Sequence, residues 1–137
     1  MTDDAKTRRT VLIVEDETDI RLMLVAAFER AGYRVIEARN GREAMVAAKV
    51  PTQDERPDCI VMDLKLPNVD GLDAIRLIRA TAPVPLCDVP IVVLSGLDRS
   101  VWREKALVAG CNEFISKPIE PDDLIAVVKR YTDTPAE

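Results

Sequence analysis

The stretch VLIVEDETDIRLMLVAAFERAG, residues 11–32, holds two patterns in succession. Val11 to Val14 is an unbroken apolar run, mostly β-branched, as expected of a strand covered on both faces. From about Asp19 to Ala31, the residues Ile20, Leu24, Ala27, Phe28 and Ala31 recur at helical spacing on one face, and Gly32 is a suitable stop. A doubly covered strand followed by an amphipathic helix is the unit from which parallel sheets are wound. Between the two patterns lie Glu15, Asp16 and Glu17, three acids at the point where the strand ends.

The alternation continues along the chain. Arg34 to Ala38 is a second strand-like run, and Asn40 is placed to cap a helix over about Gly41 to Val50, which Pro51 ends. Thr52 to Asp58 is a polar loop, and Cys59 to Met62 is the third strand. Pro67, Asn68, Asp70 and Gly71 mark a turn into a helix from about Leu72 to Ala80, with Leu72, Ile75 and Ile78 inward. After a stiff connection from Pro83 to Pro90, Ile91 to Leu94 is the fourth strand. Asp98 or Ser100 opens a fourth helix that Gly110 closes, and Glu113 to Ser116 is the fifth strand. Pro121 suits the first position of a last helix, Asp122 and Asp123 favour its positive end, and Leu124, Val128 and Tyr131 give it a stripe. Strands alternating with helices predict an α/β fold, a parallel sheet with helices on both faces. Right-handed crossovers then bring every strand C-terminus to one edge, where ligands bind at the point of strand-order reversal.

Size and composition bound the reading. The 137 residues suffice for one core, and a composition 47% apolar and 31% charged is that of a globular chain. The expected organisation is a flexible extension over 1–9, one domain over 10–131, and a flexible tail or linker start over 132–137. No apolar run approaches the ~20 residues of a membrane span, and Met1 to Thr10 carries no signal core, so a soluble, cytoplasmic protein is expected. With a net charge of -5 and no basic stripe, direct nucleic-acid binding is not expected. Cys59, Cys87 and Cys111 form no CxxC pair and read as reduced, mostly buried thiols. The chain has no histidine, which excludes any mechanism with an imidazole base.

Five polar residues stand at the tails of the strand runs: Glu15, Asp16, Asp63, Ser95 and Lys117. Gathered at one sheet edge, they would join three carboxylates, a hydroxyl and an ammonium. Oxygen-only ligands suit Mg²⁺. A lone Glu-Asp pair is ordinarily a pair of solvated loop acids, but Asp63 at a matching strand end changes that, because converging acids repel each other without a cation. Asp63 is the candidate nucleophile, since carboxylates form aspartyl-phosphates. Lys117 would add positive charge beside the phosphoryl group, Ser95 could donate its hydroxyl, and the Gly96 N–H is a further donor. Taken singly, Lys117 reads as an exposed lysine and Ser95 as a turn residue. Trp102 lies on one side of the fourth helix with Ala106 and Ala109, either at the edge of the core or as a partner contact.

The set VLIVEDE at 11–17, DLKLPNVDG at 63–71, Ser95-Gly96 and Lys117-Pro118 resembles a receiver domain of two-component response regulators, from about Thr10 to Tyr131. The resemblance implies a flavodoxin-like, doubly wound five-stranded parallel sheet in the order 2-1-3-4-5 with five helices. It implies that Asp63 is the phosphoacceptor and that Glu15, Asp16, Asp63 and the Lys65 backbone carbonyl hold Mg²⁺. Lys117 matches the family's lysine, with a cis bond to Pro118. Ser95 matches the switch hydroxyl and Phe114 the aromatic switch, which here lacks a hydroxyl and must act by packing. The implied donors are a sensor histidine kinase, a histidine phosphotransfer protein or a small phosphodonor such as acetyl phosphate. The implied output is a changed surface on the fourth helix, fifth strand and fifth helix, read by a downstream protein target or an output domain. Chemistry would be confined to the domain's own phosphorylation and dephosphorylation, so it would not be an enzyme in the ordinary sense. Lys65 and Leu97 flank the site where they would influence an attacking water. Three other readings compete. A Mg²⁺-dependent phosphatase of the haloacid dehalogenase type would carry its nucleophile on the first strand and a second acid two residues on. A flavin protein would need a phosphate loop where Glu15 to Glu17 stand. A receiver-like interaction module would no longer accept phosphate. The chain reads as a stand-alone receiver or as part of a longer regulator.

Overall fold

In the computed structural model, residues 8–48, 56–65, 70–81 and 88–133 are described. The elements are β1 (Thr10–Val14), α1 (Thr18–Arg30), β2 (Arg34–Ala38), α2 (Gly41–Ala48), β3 (Cys59–Met62), α3 (Gly71–Thr81), β4 (Ile91–Ser95), α4 (Arg99–Ala109), β5 (Glu113–Ser116) and α5 (Pro121–Thr132). The strands form one parallel sheet in the order β2-β1-β3-β4-β5. Every residue of β1, β3 and β4 is buried, whereas β2 and β5, with charged residues in their sequences, form the half-covered edges.

Alternation along the central strands divides the core into two layers. Leu12, Val14, Ile60, Met62, Ile91 and Val93 pack with residues of α2, α3 and α4, among them Ala44, Ile75, Ile78 and Ala106. Val11, Ile13, Cys59, Val61, Val92 and Leu94 face the other way, onto Leu24 and Phe28 of α1 and Leu124 and Val128 of α5. The order reverses between β1 and β3, so the ends of these strands flank the topological crevice.

Several sequence signals have their expected structural counterparts. Gly32 adopts φ 99°, with its N–H bonded to the Glu29 carbonyl and the Tyr33 N–H to that of Phe28. The Tyr33 ring closes this turn edge-on against Phe28, at 5.3 Å between centroids. The Asn40 carboxamide oxygen accepts from the Glu43 N–H at 2.8 Å, and Asp98 caps α4 through the Ser100 N–H at 2.9 Å. Cys59 and Cys111 are buried free thiols, pushed up to about 12 and about 11 chiefly by burial.

Other expectations shift. Ala31 is exposed rather than inward, because it caps α1 at the point where the chain turns away. The buried stripe instead includes Arg21, together with Leu24, Ala27 and Phe28. Helix α5 extends to Thr132, whose hydroxyl pairs with Tyr33 at 2.8 Å, and the Arg9 carbonyl accepts from the Arg34 N–H at 2.8 Å. Residues 1–7 and 134–137, the end of the second helix at Val50 and Pro51, Thr52 to Glu55, the turn residues Leu66 to Val69, and Ala82 to Cys87 lie outside the described residues.

Candidate phosphoryl and metal site

The sheet edge assembles the site by hydrogen bonds that extend beyond the strands. The Glu15 N–H bonds to the Ala38 carbonyl at 3.0 Å, carrying β1–β2 pairing one residue past β1. The Asp63 N–H bonds to the Val14 carbonyl at 3.1 Å, and the Lys117 N–H to the Ser95 carbonyl at 2.8 Å. Glu15, Asp63 and Lys117 are thus placed by the backbone ladder rather than by free loops. Their side chains converge. One carboxylate oxygen each from Glu15, Asp16 and Asp63 lies within 4.8 Å of the others. Lys117 Nζ donates to Asp63 Oδ2 at 3.0 Å and to Glu15 Oε1 at 3.2 Å. The Lys65 N–H donates to Asp63 Oδ1 at 3.0 Å, and the Glu17 N–H to Glu15 Oε2 at 3.3 Å.

Burial grades the three acids. Glu15 and Asp63 are buried and Asp16 is exposed. Burial raises the Glu15 pKa, and the charge of Asp63 raises it further, with partial relief from Lys117. Burial opposes the charge on Lys117, but its bonds to Asp63 and Glu15 outweigh that and hold its pKa above the usual value. At an effective dielectric of about 20, charges about 3 Å apart attract by roughly 5 kcal/mol, so Lys117 offsets the repulsion between the two buried carboxylates. One ammonium against three carboxylates still leaves excess negative charge at the site, with Asp16 on its open side. An oxygen-only donor set, partly buried and with excess negative charge, fits a hard divalent cation.

Of the remaining expected residues, Ser95 adjoins this centre through the bond of its carbonyl to the Lys117 N–H. Ser95 is fully buried, and in this conformation its Oγ accepts from the Leu97 N–H at 3.0 Å, the turn role expected of a serine at a strand end. A Cβ at Gly96 would meet no atom within 4 Å, so the chain's own packing does not require glycine there. Phe114 is buried in the α2–α4 layer, with the Arg99 guanidinium 5.9 Å from its ring centroid and bonded to its carbonyl at 3.0 Å. The Lys117–Pro118 bond is cis. Beside the acids opens a cleft of about 910 Å³ whose lining includes Asp16, Leu64, Lys65, Leu97, Trp102 and Lys105. Trp102 packs half-buried against the core, with Lys105 Nζ 4.7 Å from its ring centroid, which supports the edge-of-core reading.

Two contributors escaped the reading of the sequence. Arg21 donates from Nη1 to the Glu15 carbonyl and from Nε to Glu37 Oε1, both at 3.0 Å. Its signal was its place at positions 21, 24 and 28, in line with the apolar stripe. Gly71 admits the chain beside Asp63: a Cβ there would stand 2.5 Å from the Leu64 Cα and 2.7 Å from the Asp63 carbonyl oxygen. Nothing local distinguishes that close approach from an ordinary turn glycine.

A doubly wound sheet with an acidic, lysine-bridged crevice defines a phosphoryl-handling signalling domain of the CheY-like type. The chain belongs to the response regulator receiver domain family, whose model matches residues 11–129. It is 34% identical over 125 residues to the chemotaxis protein CheY of Thermotoga maritima, covering 90% of this chain and 98% of that one. It is 36% identical over 122 residues to the phosphate regulon transcriptional regulatory protein PhoB of Pseudomonas aeruginosa, covering 88% of this chain and 50% of that one. Among solved structures, the receiver domain of the sensor histidine kinase PA1611 from Pseudomonas aeruginosa, with a magnesium ion coordinated in its active-site cleft, superposes with a TM-score of 0.81 at 31% identity, covering 93% and 99% of the two chains. Vibrio cholerae CheY4 gives 0.79 at 27% identity, covering 90% and 98%. The chain thus spans about half the length of PhoB and nearly all of CheY. Members of this family exchange signals with histidine kinases and downstream effectors, and phosphorylation and magnesium dependence are family properties. Among the described residues, no helix is long and apolar enough to cross a membrane.

Proposed function

We propose that this domain, over residues 10–131, accepts a phosphoryl group on Asp63 from a sensor histidine kinase or a histidine phosphotransfer protein, and less specifically from an acyl phosphate. A carboxylate oxygen of Asp63 attacks phosphorus, the bond to the donor nitrogen or oxygen breaks, and the leaving group keeps that electron pair. The observation that carries this reading is the bridging of Asp63 and Glu15 by Lys117 Nζ, at 3.0 and 3.2 Å, beside a third carboxylate. Mg²⁺, held by Glu15, Asp16, Asp63 and the Lys65 carbonyl, would neutralise the phosphoryl oxygens. Lys117 is released from one carboxylate contact to pair with the incoming anion, and the Gly96 N–H donates to it. Ser95 exchanges its bond with the Leu97 N–H for one to a phosphoryl oxygen. That movement draws on the β4–α4 turn, and Phe114, packed next to α4, transmits it to the surface of α4, β5 and α5. A protein target or an output domain would read that surface. The net charge of -5 supports protein rather than nucleic-acid contact by this chain, in the cytoplasm. The chemistry is confined to the domain's own aspartate.

Intact-mass spectrometry after incubation with acetyl phosphate and Mg²⁺ tests the reading. One added phosphoryl group is expected on the wild type and none on Asp63→Asn. Equal phosphorylation of both proteins, or none on the wild type, would overturn it.

A further inference from the structure

Arg21 is buried on the inner face of α1, yet its guanidinium points back to the turn that holds the acids. Its side chain is 8% exposed, against 44% for its ion-pair partner Glu37. Nη1 bonds to the Glu15 carbonyl and Nε to Glu37 Oε1, both at 3.0 Å. The Glu15 carbonyl belongs to the peptide plane that joins Glu15 to Asp16. On the other side of Glu15, the N–H is fixed by the Ala38 carbonyl at 3.0 Å. Both backbone groups of Glu15 are therefore held, one by the sheet and one by Arg21. The direction in which Asp16 leaves the strand follows from that second bond.

We infer that Arg21 is a positioning residue for the metal site: by fixing the Glu15–Asp16 peptide, it sets the angle between the buried Glu15 carboxylate and the exposed Asp16 carboxylate. A planar guanidinium holds its donors in a rigid fork, whereas the donors of an ammonium rotate on a flexible stem and fix no direction. Glu37 aims the fork from β2, so sheet edge, helix and acidic turn are tied through one side chain. Groups that orient a metal's ligands commonly matter about 10-fold or more for metal affinity without touching the ion.

The inference rests on the metal reading above, and isothermal titration with Mg²⁺ alone separates the two. Wild type, Arg21→Gln, Arg21→Lys and Glu37→Ala are titrated after thermal melting has shown each to be folded at the assay temperature. Arg21→Gln is expected to bind Mg²⁺ about 10-fold more weakly. Arg21→Lys keeps the charge but not the fork, and Glu37→Ala frees one end of it. Both are expected to weaken binding by more than about twofold. A merely structural arginine would lower the melting temperature and leave the affinity of the folded protein unchanged. Variant affinities equal to wild type, or full recovery in Arg21→Lys, would overturn the positioning role while leaving the metal site standing. An absence of Mg²⁺ binding by the wild type would overturn the metal reading and this inference with it. Where Arg21→Gln does not fold, Glu37→Ala, at a half-exposed position, still decides the question.

Discussion

Of the three carboxylates, Glu15 is the most enclosed, and its pKa is raised first by burial and then by the charge of Asp63. The native state therefore holds a Glu15 proton more tightly than the unfolded chain does. Its ionisation lowers stability as the pH rises from 4.5 through the raised native value, and the cost persists to neutral pH. Glu15→Gln keeps an acceptor for Lys117 and removes the charge. In urea denaturation with chelator at pH 7, we expect it to be measurably more stable than wild type. The gain should fade as the pH drops well below 4.5, where the carboxyl becomes neutral in both states, and equal stability at pH 7 would contradict this account. A second prediction concerns water. Lys65 and Leu97 line the cleft beside Asp63, Lys65 with its N–H on Asp63 Oδ1 and Leu97 with its N–H on Ser95 Oγ. Both are placed to exclude or misplace an attacking water. Leu97→Asn and Lys65→Asn should each shorten the phosphoaspartate lifetime several-fold, followed as loss of the added mass over time. Unchanged lifetimes would remove the idea.

At the scale of elements, the surroundings of Asp63 depend on how α3 begins. Gly71 lies against the Leu64 and Asp63 backbone, with its N–H bonded to the Leu64 carbonyl at 2.9 Å. Gly71→Ala places a methyl group where backbone atoms already stand, and it should cost about 2 kcal/mol in chemical denaturation. A change of a few tenths would mean that the start of α3 is softer than described. Elements of this kind were legible because their patterns are local: the apolar runs of β1, β3 and β4, the Asn40 cap, the start of α4 at Asp98 or Ser100, and the glycine stops. Ala31 was misplaced because the stripe of α1 ends where Gly32 turns the chain, one residue before the period would return. What ties elements together was not legible. Arg79 bonds to the Gly110 and Val89 carbonyls and to the Asn112 side chain, and Asn112 Oδ1 also accepts from the Ile91 N–H. That clamp holds α3 to the start of β4 and the end of α4, joining residues up to 33 apart, and no period announces it.

For the whole molecule, the decisive fact is that five strands end on one edge. Glu15, Asp63, Ser95 and Lys117 were legible as a set because each follows a strand run, and parallel winding turns that repetition into proximity. The strand order came from family resemblance rather than from periodicity. Its physical trace is the charge within β2 and β5, the two edge strands, against none in the three between them. Arg21 stayed hidden for the opposite reason: an arginine on a helix reads as solvated until the sheet places Glu37 and the Glu15 carbonyl beneath it. The account as a whole depends on Glu15, Asp16 and Asp63 sharing one cation next to an acceptor bridged by Lys117. A crystal structure grown with Mg²⁺ and beryllofluoride, a mimic of the bound phosphoryl group, measures this directly. The predicted result is one metal ion held by these carboxylates, with the mimic on Asp63 and Lys117 turned to its fluorines. A metal ion bound elsewhere, or a mimic seated away from Asp63 with Lys117 still bridging Asp63 and Glu15, would contradict it.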